Sequence, residues 1–444
     1  MTTASPTKRL RFLLARTTFA DRQLLASKSA IVTFVPMEAI GEQGELDTSA
    51  TRELDEVRTG YSVFKDGDVV VAKITPCFEN GKGAVIRDTL SGIGYGTTEL
   101  HVLTPGPALD SKFLYYVTVS PEFRRRGEAR MTGAAGQQRV PEDFLLDYLV
   151  QAFPISRQRA IVRFLDQELA RIDRLLTVKT RQNDLLAEKR KAIIAAAVTR
   201  GLDPTVPMRD SGVPWLGEIP ANWEIERARW LFRERDVRSE AGEEELLTVS
   251  HITGVTPRSE KDVNMFEAET NEGYKLCESG DLVINTLWAW MGAMGVAPMK
   301  GIVSPAYNVY EPGPHLAPAY IDALVRLPVF AQEVTRYSKG VWSSRLRLYP
   351  EGFFEALLPV PPMNEQRAIV DYIVRETAKL DNLRVATERT IALLKERRAA
   401  LIAAAVTGQI DVGAVARDRN EPQARATFEP SRRPSCRSRS GSDR

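Results

Sequence analysis

Cysteine and histidine are scarce in this 444-residue sequence, which has three of each: Cys77, Cys277, Cys436, His101, His251 and His315. The cysteines are odd in number and far apart, so they predict neither a disulfide framework nor a paired zinc-ligand spacing. The histidines lack the HExxH spacing of a metalloprotease, and we expect each on a surface or in a strand. We therefore expect no metal site and a reducing, cytoplasmic location.

Long apolar runs are also missing. No stretch reaches the roughly 18 apolar residues that a membrane helix needs, and no charged-then-apolar leader opens the chain. The hydrophobic share of 43% is nevertheless enough to form cores. At about 100–200 residues per domain, we expect two to four domains, with no membrane contact.

Motifs for catalysis are absent as well. There is no GxSxG nucleophile elbow, and the phosphate-binding pattern fails at "PCFENGK", where Pro76 replaces the first glycine. "GIGYGT" lacks the third glycine of a dinucleotide site, and we interpret it as a turn. The nearest string to a methyltransferase [N/D/S]PP[Y/F] motif is "VPPM" at Val360, which lacks the polar and aromatic members. The sequence predicts a protein that is not an enzyme and holds no cofactor.

A strong excess of charge is missing too, since the formal net charge is only +2. From Arg417 onward eight arginines face four acidic residues, so the body of the chain carries a small negative charge. Any DNA binding must then come from local basic patches or from partners. The tail, "EPSRRPSCRSRSGSDR", has few large apolar residues, and we predict that it is disordered.

What the sequence does contain is a repeat. Gln158 aligns with Gln366, and at this offset of 208 residues 22 of the 46 positions from 158 to 203 are identical in the second copy. Prolines open each copy, apolar residues follow at helical spacing, and a second helical stretch ends in an alanine run. Seven-residue spacing predicts an antiparallel helix-to-helix seam. Its predicted members are Leu186, Ile193, Ala196, Leu394, Leu401 and Ala404.

The segments before each helical copy repeat more loosely. "DGDVVVAKITPCFENGKGAVI" from Asp66 resembles "SGDLVINTLWAWMGAMGVAPM" from Ser279, and "FLYYVTVSPEFRRR" parallels "YIDALVRLPVFAQE". Alternation with Gly, Pro and Asn punctuation predicts mostly strands with a short helix or two. Trp288 and Trp290 occupy alternate positions, which predicts one face of a strand. We favour core packing for them over stacking on a distorted base.

The strings "PWLGEIPANWE" and "PPMNEQRAIV…KLD…LLKERRAALIAAAVTGQID", with the doubled helical tract, resemble the specificity subunit of type I restriction-modification systems. The resemblance runs from about Arg9 to Asp411. It implies a non-catalytic subunit with two target recognition domains, each reading one half of a bipartite, asymmetric site in double-stranded DNA. It also implies docking of two methyltransferase subunits on the helices, and of two restriction subunits where the system has them. S-adenosylmethionine, Mg²⁺ and ATP would belong to those partners.

The expected fold class is α+β, with two mixed α/β recognition domains separated by two long helical spacers. The spacers are expected to pack as an antiparallel coiled coil, and the chain to form a pseudo-twofold internal repeat. The predicted domains are 1–154 and 204–361, the spacers 155–203 and 362–412, and the tail 413–444. The first half departs from the resemblance in two places. It lacks a counterpart of "DSGVPWLGEIPANW", and Arg157 stands where the second half has Glu365.

Arg, Lys, Gln and Ser near the end of each globule are the predicted DNA contacts, because such side chains bind phosphates and base edges. In the first globule these are Lys82, Arg124, Arg125, Arg126, Arg130, Gln137, Gln138 and Arg139. In the second they are Arg336, Lys339, Ser343, Ser344, Arg345 and Arg347. The alternative left open is a coiled-coil adaptor that scaffolds proteins without touching DNA.

Overall fold

The structure is a computed structural model. It describes residues 6–15, 30–134, 136–261, 270–340 and 346–410, so the predicted disordered tail lies outside the described residues. The chain divides into two compact units. Unit 1 comprises Met1–Thr177 with Ile391–Arg444, and unit 2 comprises Val178–Thr390.

Unit 1 is built from short strands and helices followed by the start of a long helix. Its described strands are β1 (Thr7–Arg9), β2 (Ile31–Val35), β3 (Thr51–Glu53), β4 (Ser62–Lys65), β5 (Val69–Ala72), β6 (Gly83–Val85), β7 (Ile93–Gly96), β8 (Leu100–Leu103) and β9 (Leu149–Gln151). Its helices are α1 (Leu54–Val57), α2 (Ser111–Thr118), α3 (Pro121–Glu128), α4 (Glu142–Asp147) and the first part of α5 (Ile155–Arg200). β1 pairs with β9, β5 lies between β6 and β8, and the third sheet has the order β3-β2-β7-β4.

Unit 2 has the same plan. Its described strands are β10 (Met208–Asp210), β11 (Glu218–Pro220), β12 (Glu224–Arg227), β13 (Phe232–Glu234), β14 (Leu247–Ser250), β15 (Gly254–Pro257), β16 (Lys275–Cys277), β17 (Leu282–Asn285), β18 (Met294–Val296), β19 (Gly301–Val303), β20 (Tyr307–Pro312) and β21 (Leu357–Val360). Its helices are α6 (Ala228–Leu231), α7 (Pro318–Val325), α8 (Pro328–Arg336), α9 (Pro350–Phe354) and the first part of α10 (Met363–Val406).

The strand pairings match between the units. In unit 1, β1 pairs with β9, the strand just before α5. In unit 2, β12 pairs in the same way with β21, the strand just before α10. The central strand β5 pairs with β6 and β8, as β17 does with β18 and β20. The predicted internal repeat is therefore confirmed. The short helices are more numerous than expected, because Pro121 and Pro328 each start an additional helix at its first turn.

The string "GIGYGT", which the sequence suggested was a turn, is instead mostly strand β7, with Gly94 and Gly96 buried. A Cβ at Gly94 would lie 2.5 Å from Cε2 of Phe64, a distance no side chain tolerates. The glycines therefore make room for the Phe64 ring against the sheet. This requirement is not visible in the local sequence.

Each long helix is continuous, although two successive helical stretches were expected in each copy. α5 has 46 residues and α10 has 44, and neither contains a proline or a glycine that would interrupt it. In unit 1 the start of α5 and the end of α10 share one core, which includes Ile161 and Ile402. In unit 2 the end of α5 and the start of α10 share another, which includes Val198 and Ile369. The two helices therefore pack antiparallel, as predicted.

Two ion pairs between the long helices follow the repeat. In unit 1, Nε of Arg398 lies 3.2 Å from Asp173, and in unit 2, Nε of Arg190 lies 3.6 Å from Asp381. Both arginines and both aspartates are related by the offset of 208 residues. The repeat thus preserves an interaction between the helices as well as their sequence.

The alanine runs at the ends of the helices pack into the cores. Ala197 and Val198 are buried with Trp223 and Tyr320, and the Tyr320 hydroxyl donates a hydrogen bond of 3.1 Å to the Val198 carbonyl. Ala196, which was predicted to lie in the seam, is exposed. Adjacent residues of a helix point about 100° apart, so Ala197 faces the core and Ala196 does not.

Candidate functional site

The loop that carries Gln137, Gln138 and Arg139 is fixed to the end of the central strand of unit 1. The Val140 N–H donates to the Lys73 carbonyl at 2.8 Å, and the Thr75 N–H donates to the Gln138 carbonyl at 3.0 Å. Arg139 and Thr132 exchange two backbone hydrogen bonds of 2.9 and 3.0 Å. Backbone hydrogen bonds therefore fix Arg139 itself and the residues on either side of it, Gln138 and Val140.

The Arg139 guanidinium is held by Glu99. Nε lies 2.9 Å from Oε2 and Nη2 lies 2.7 Å from Oε1, while Nη1 donates to the Gln137 carbonyl at 3.3 Å. Arg139 is 44% exposed at its side chain and Glu99 is 26% exposed. The hydrogen bond from Arg139 lowers the pKa of Glu99, and Glu99 raises the pKa of Arg139. The carboxylate thus stays ionised and keeps the guanidinium oriented.

Arg124 lies in the interior of unit 1. Its Nη1 donates to the Phe78 carbonyl at 2.7 Å, its Cζ lies 4.6 Å from the centre of the Phe78 ring, and burial lowers its pKa to about 10. This position does not suit the predicted phosphate contact. Successive residues of helix α3 point about 100° apart, and Arg124 lies on the buried face with Phe123 and Gly127, whereas Arg125 and Arg126 do not.

The other predicted contacts of unit 1 are at or near the surface. Arg125 and Arg126 are exposed and both pair with Glu122, and Arg126 Nε lies 2.6 Å from its carboxylate. Arg130 and Gln137 are exposed, and Gln138 is half-buried. Lys82 is half-buried and donates to the Met37 carbonyl at 3.0 Å, so its ammonium group has a structural partner.

Unit 2 has an equivalent loop. Lys339 and Arg347 exchange two backbone hydrogen bonds of 2.9 Å, and the Leu348 N–H donates to the Thr286 carbonyl at 3.0 Å. Nε of Arg347 donates to the Thr286 hydroxyl at 3.2 Å. The Arg347 Cζ also lies 5.4 Å from the centre of the Tyr349 ring.

The remaining predicted contacts of unit 2 lie on helix α8 and in the segment that follows it. Arg336 is exposed and donates to Glu333 on the same helix at 3.1 Å. Ser343, Ser344 and Arg345 lie outside the described residues.

The two tryptophans of "LWAWMG" do not lie on a strand, so that prediction was wrong. β17 ends at Asn285, and the Trp288 N–H donates to the Asn285 carbonyl at 3.0 Å to close a turn. The ring of Trp288 stacks on that of Trp290 with centres 6.5 Å apart, and Trp288 is 50% exposed. The pair follows Thr286, which accepts from Arg347, by a few residues, and the half-exposed Trp288 does not pack in the core as expected.

Comparison with known proteins gives two kinds of match. The chain is 42% identical over 138 residues to the specificity subunit of the type I restriction enzyme EcoAI of Escherichia coli, which is 30% of this chain and 23% of that protein. It is 41% identical over 135 residues to the EcoEI specificity subunit of E. coli, covering 30% of this chain and 22% of the relative. The matches therefore span less than a quarter of these relatives' lengths. No protein-family model matches the sequence.

Solved structures share the fold over most of the chain. A chain from a type I restriction-modification system, whose assembly and conformational transition were studied, matches with a TM-score of 0.74, 17% identity, and coverage of 92% of this chain and 98% of that chain. The HsdS subunit from Thermoanaerobacter tengcongensis matches with a TM-score of 0.57 and the same identity and coverages. This chain resembles type I specificity subunits. The resemblance noted in the sequence is confirmed.

The predicted seam residues on the two long helices differ in how deeply they are buried. Leu394 and Leu401 pack against the core of unit 1. Leu186, Ile193 and Ala404 are half-buried. The neighbours Leu185 and Leu393 are exposed, as are Leu175 and Leu383. Each of these leucine pairs is related by the repeat, so the aligned sequences of the two copies already contain this signal.

A buried glutamine anchors each globule to its long helix, and sequence analysis missed this role. Gln158 Nε2 donates to the Ala108 and Phe153 carbonyls at 2.9 and 2.8 Å, and its Oε1 accepts from the Asp110 N–H at 2.8 Å. Gln366 makes the same three bonds, each of 2.8 Å, to His315, Pro361 and Ala317. The identity of both glutamines in "QRAIV" was the available signal.

The replacement of Glu365 by Arg157 has a structural cause. In unit 2 the Glu365 carboxylate accepts from Nε1 of Trp223 at 2.8 Å and from Nδ2 of Asn222 at 2.7 Å. Both partners lie in the "IPANW" segment for which the first half has no counterpart. Arg157 instead lies over the Phe153 ring, with its Cζ 4.3 Å from the ring centre. The two departures from the family pattern are therefore one change.

No described helix is both long and apolar enough to cross a bilayer. The described residues also contain no group of three or more His, Cys, Asp or Glu side chains placed to hold a metal ion.

Proposed function

We propose that this chain is the DNA-specificity subunit of a type I restriction-modification complex. Each unit would read one half of a bipartite, asymmetric site in double-stranded DNA. The observation that supports this best is the pair of equivalent loops, ending in Arg139 and Arg347, attached to a repeated helical frame. The frame keeps equivalent ion pairs and glutamines, whereas the loops differ in their other side chains. A repeated frame with unlike loops suits two different half-sites.

The long helices would dock the methyltransferase subunits. Leu175 and Leu383 are 50% and 51% exposed and occupy equivalent positions of the repeat. Exposed leucines on a helix favour burial against a partner, at roughly 25 cal/mol per Å² of apolar area. Because the same exposed residue recurs in both copies, we infer that the same kind of subunit binds twice. Restriction subunits would join where the system has them.

Catalysis would reside in those partners. They would bind S-adenosylmethionine, Mg²⁺ and ATP, and the methyltransferase would hold the flipped adenine, whose extrusion costs a few kcal/mol. This chain would contribute sequence recognition and assembly. With a nearly neutral body, it should bind DNA weakly by itself and in a salt-sensitive way.

Exchange of the first recognition domain tests the proposal. Residues 1–154 are replaced by the corresponding domain of a relative with a different target, and the methylated sequences are mapped in cells that contain the methyltransferase. One half of the methylated sequence should change while the other half is retained. A scaffold that does not touch DNA would leave the methylated sequence unchanged, and that result would refute the proposal.

A second experiment tests the docking surface. Leu175→Lys together with Leu383→Lys removes the exposed apolar side chains without placing charge in a core, so the thermal midpoint should change little while co-purification with the methyltransferase is lost. Leu186→Asp with Leu394→Asp, at half-buried positions, should instead lower the thermal midpoint. Retained co-purification of the lysine variant would contradict docking at these leucines.

A further inference from the structure

The two matched arginines stand out among the candidate DNA contacts. Arg139 and Arg347 are related by the offset of 208 residues, and each lies in an antiparallel bridge. In each loop the next residue donates its N–H to a carbonyl just beyond the central strand, that of Lys73 or Thr286. Among the described candidates, these two arginines are the pair whose backbone both units fix in the same way.

We propose that Arg139 and Arg347 each read a guanine, one in each half-site, and that Glu99 and Thr286 are positioning residues that orient them. The inference rests on the proposed function, because it assigns base contacts within the two recognition units. It goes beyond that function by naming the base, the residues that read it and the residues that hold them.

The hydrogen bonds of Arg139 leave a suitable donor pair. A guanidinium has five N–H groups. Glu99 and the Gln137 carbonyl engage one on Nε, one on Nη2 and one on Nη1. One N–H therefore remains on each Nη atom by the described contacts. Two adjacent donors match the O6 and N7 acceptors of guanine, which is the commonest specific contact of arginine in the major groove.

Glu99 favours a base over a phosphate as the ligand. A phosphate bound to Arg139 would approach the Glu99 carboxylate, and the two negative charges would repel each other. A guanine edge is neutral and accepts both hydrogen bonds without that repulsion. The carboxylate also fixes the side-chain rotamer, so less conformational entropy is lost when the base binds.

Arg347 is held by weaker groups. The Thr286 hydroxyl accepts one N–H at 3.2 Å, and the Tyr349 ring lies beside the guanidinium. A single neutral acceptor orients a guanidinium less firmly than a carboxylate that accepts two N–H groups. We therefore expect the guanine of the second half-site to be discriminated less strongly than that of the first.

The test uses the full chain with its methyltransferase, for which methylation mapping first defines both half-sites. Glu99→Gln and Arg139→Met should each relax the preference for one guanine, in the half-site read by unit 1, on the order of tenfold. Thr286→Val should relax one guanine in the other half-site by a smaller factor. A duplex in which a deazaguanine lacking N7 replaces that guanine should bind the wild-type complex more weakly than the unmodified duplex does. The Arg139→Met complex, whose side chain has no donor for N7, should bind both duplexes with the same affinity.

Asp147→Asn is the matched control. It removes a carboxylate that pairs with Arg9 at 3.2 Å on the surface of the same unit. The change in charge is therefore the same as in Glu99→Gln. It should leave the preference at every position unchanged. The thermal midpoints of all variants verify that they are folded.

Three outcomes would overturn the inference or its basis. If Arg139→Met and Glu99→Gln leave every base preference unchanged, the inference is wrong. If Arg139→Met weakens binding equally on all sequences and reduces its salt dependence, Arg139 binds a phosphate and the inference is also wrong. If the wild-type complex shows no two-part methylation pattern, the proposed function itself fails.

Discussion

Replacing Gln366 with alanine should destabilise unit 2 strongly. The Gln366 side chain is fully buried, and its three hydrogen bonds satisfy two carbonyls and one backbone N–H that join α10 to the segment before α7. Each buried polar group left without a partner costs about 1–3 kcal/mol. Partial entry of water into the vacated space offsets some of this cost, so we expect a loss of about 3 kcal/mol in the free energy of unfolding.

Tryptophan fluorescence is the appropriate assay, because all six tryptophans of the chain lie between residues 178 and 390, the range of unit 2. Urea unfolding has a slope of about 1–3 kcal/mol per M in small proteins, so the Gln366→Ala midpoint should fall by about 1 M or more. Gln332→Ala, at an exposed position of α8, is the control and should leave the midpoint unchanged. A Gln366→Ala midpoint equal to that of the control would refute the anchoring role.

Three further predictions concern packing and reactivity. Ala197→Leu should destabilise unit 2 by about 1–3 kcal/mol, because Ala197 is buried in the core and a larger side chain there forces its neighbours to move. Ala196→Leu, at the exposed neighbour, should leave the midpoint of the same urea assay unchanged. Glu365→Arg should lower the free energy of unfolding of unit 2 by about 1–3 kcal/mol and shift the tryptophan emission, because the Trp223 indole N–H loses its acceptor. An unchanged emission spectrum would contradict this prediction. Burial raises the pKa of Cys277 to about 12, so at pH 8 only about one Cys277 thiol in ten thousand is the reactive thiolate. Labelling of Cys277, followed by peptide mapping to separate it from Cys77 and Cys436, should therefore follow unfolding of unit 2. Rapid labelling of Cys277 in the folded chain would show that its site is open.

The repeat made the frame predictable. Identity at a constant offset of 208 residues, with apolar residues at helical spacing, was enough to predict two helical spacers and their antiparallel packing, although each spacer was expected as two successive helical stretches and is one continuous helix. The same offset relates the Asp173–Arg398 and Arg190–Asp381 ion pairs. Those pairs could be located only once the direction of the helices was known.

The candidate site was harder to predict, because its decisive contacts join residues that are distant in the sequence. Arg139 and Glu99 are 40 residues apart, and no local pattern links them. "FRRR" indicates charge, whereas the phase of α3 decides that Arg124 points inward. Alternation suggested a strand at Trp288, but the strand had already ended at Asn285. Sequence pattern thus located the basic loops without determining which side chains they present.

Methylation mapping of the source genome, with and without this gene, tests the central claim most directly. The proposed function predicts modified adenines in a two-part, asymmetric sequence with a fixed gap, and loss of that pattern when the gene is deleted. A methylation map that has no such sequence, or that does not change on deletion, would contradict it.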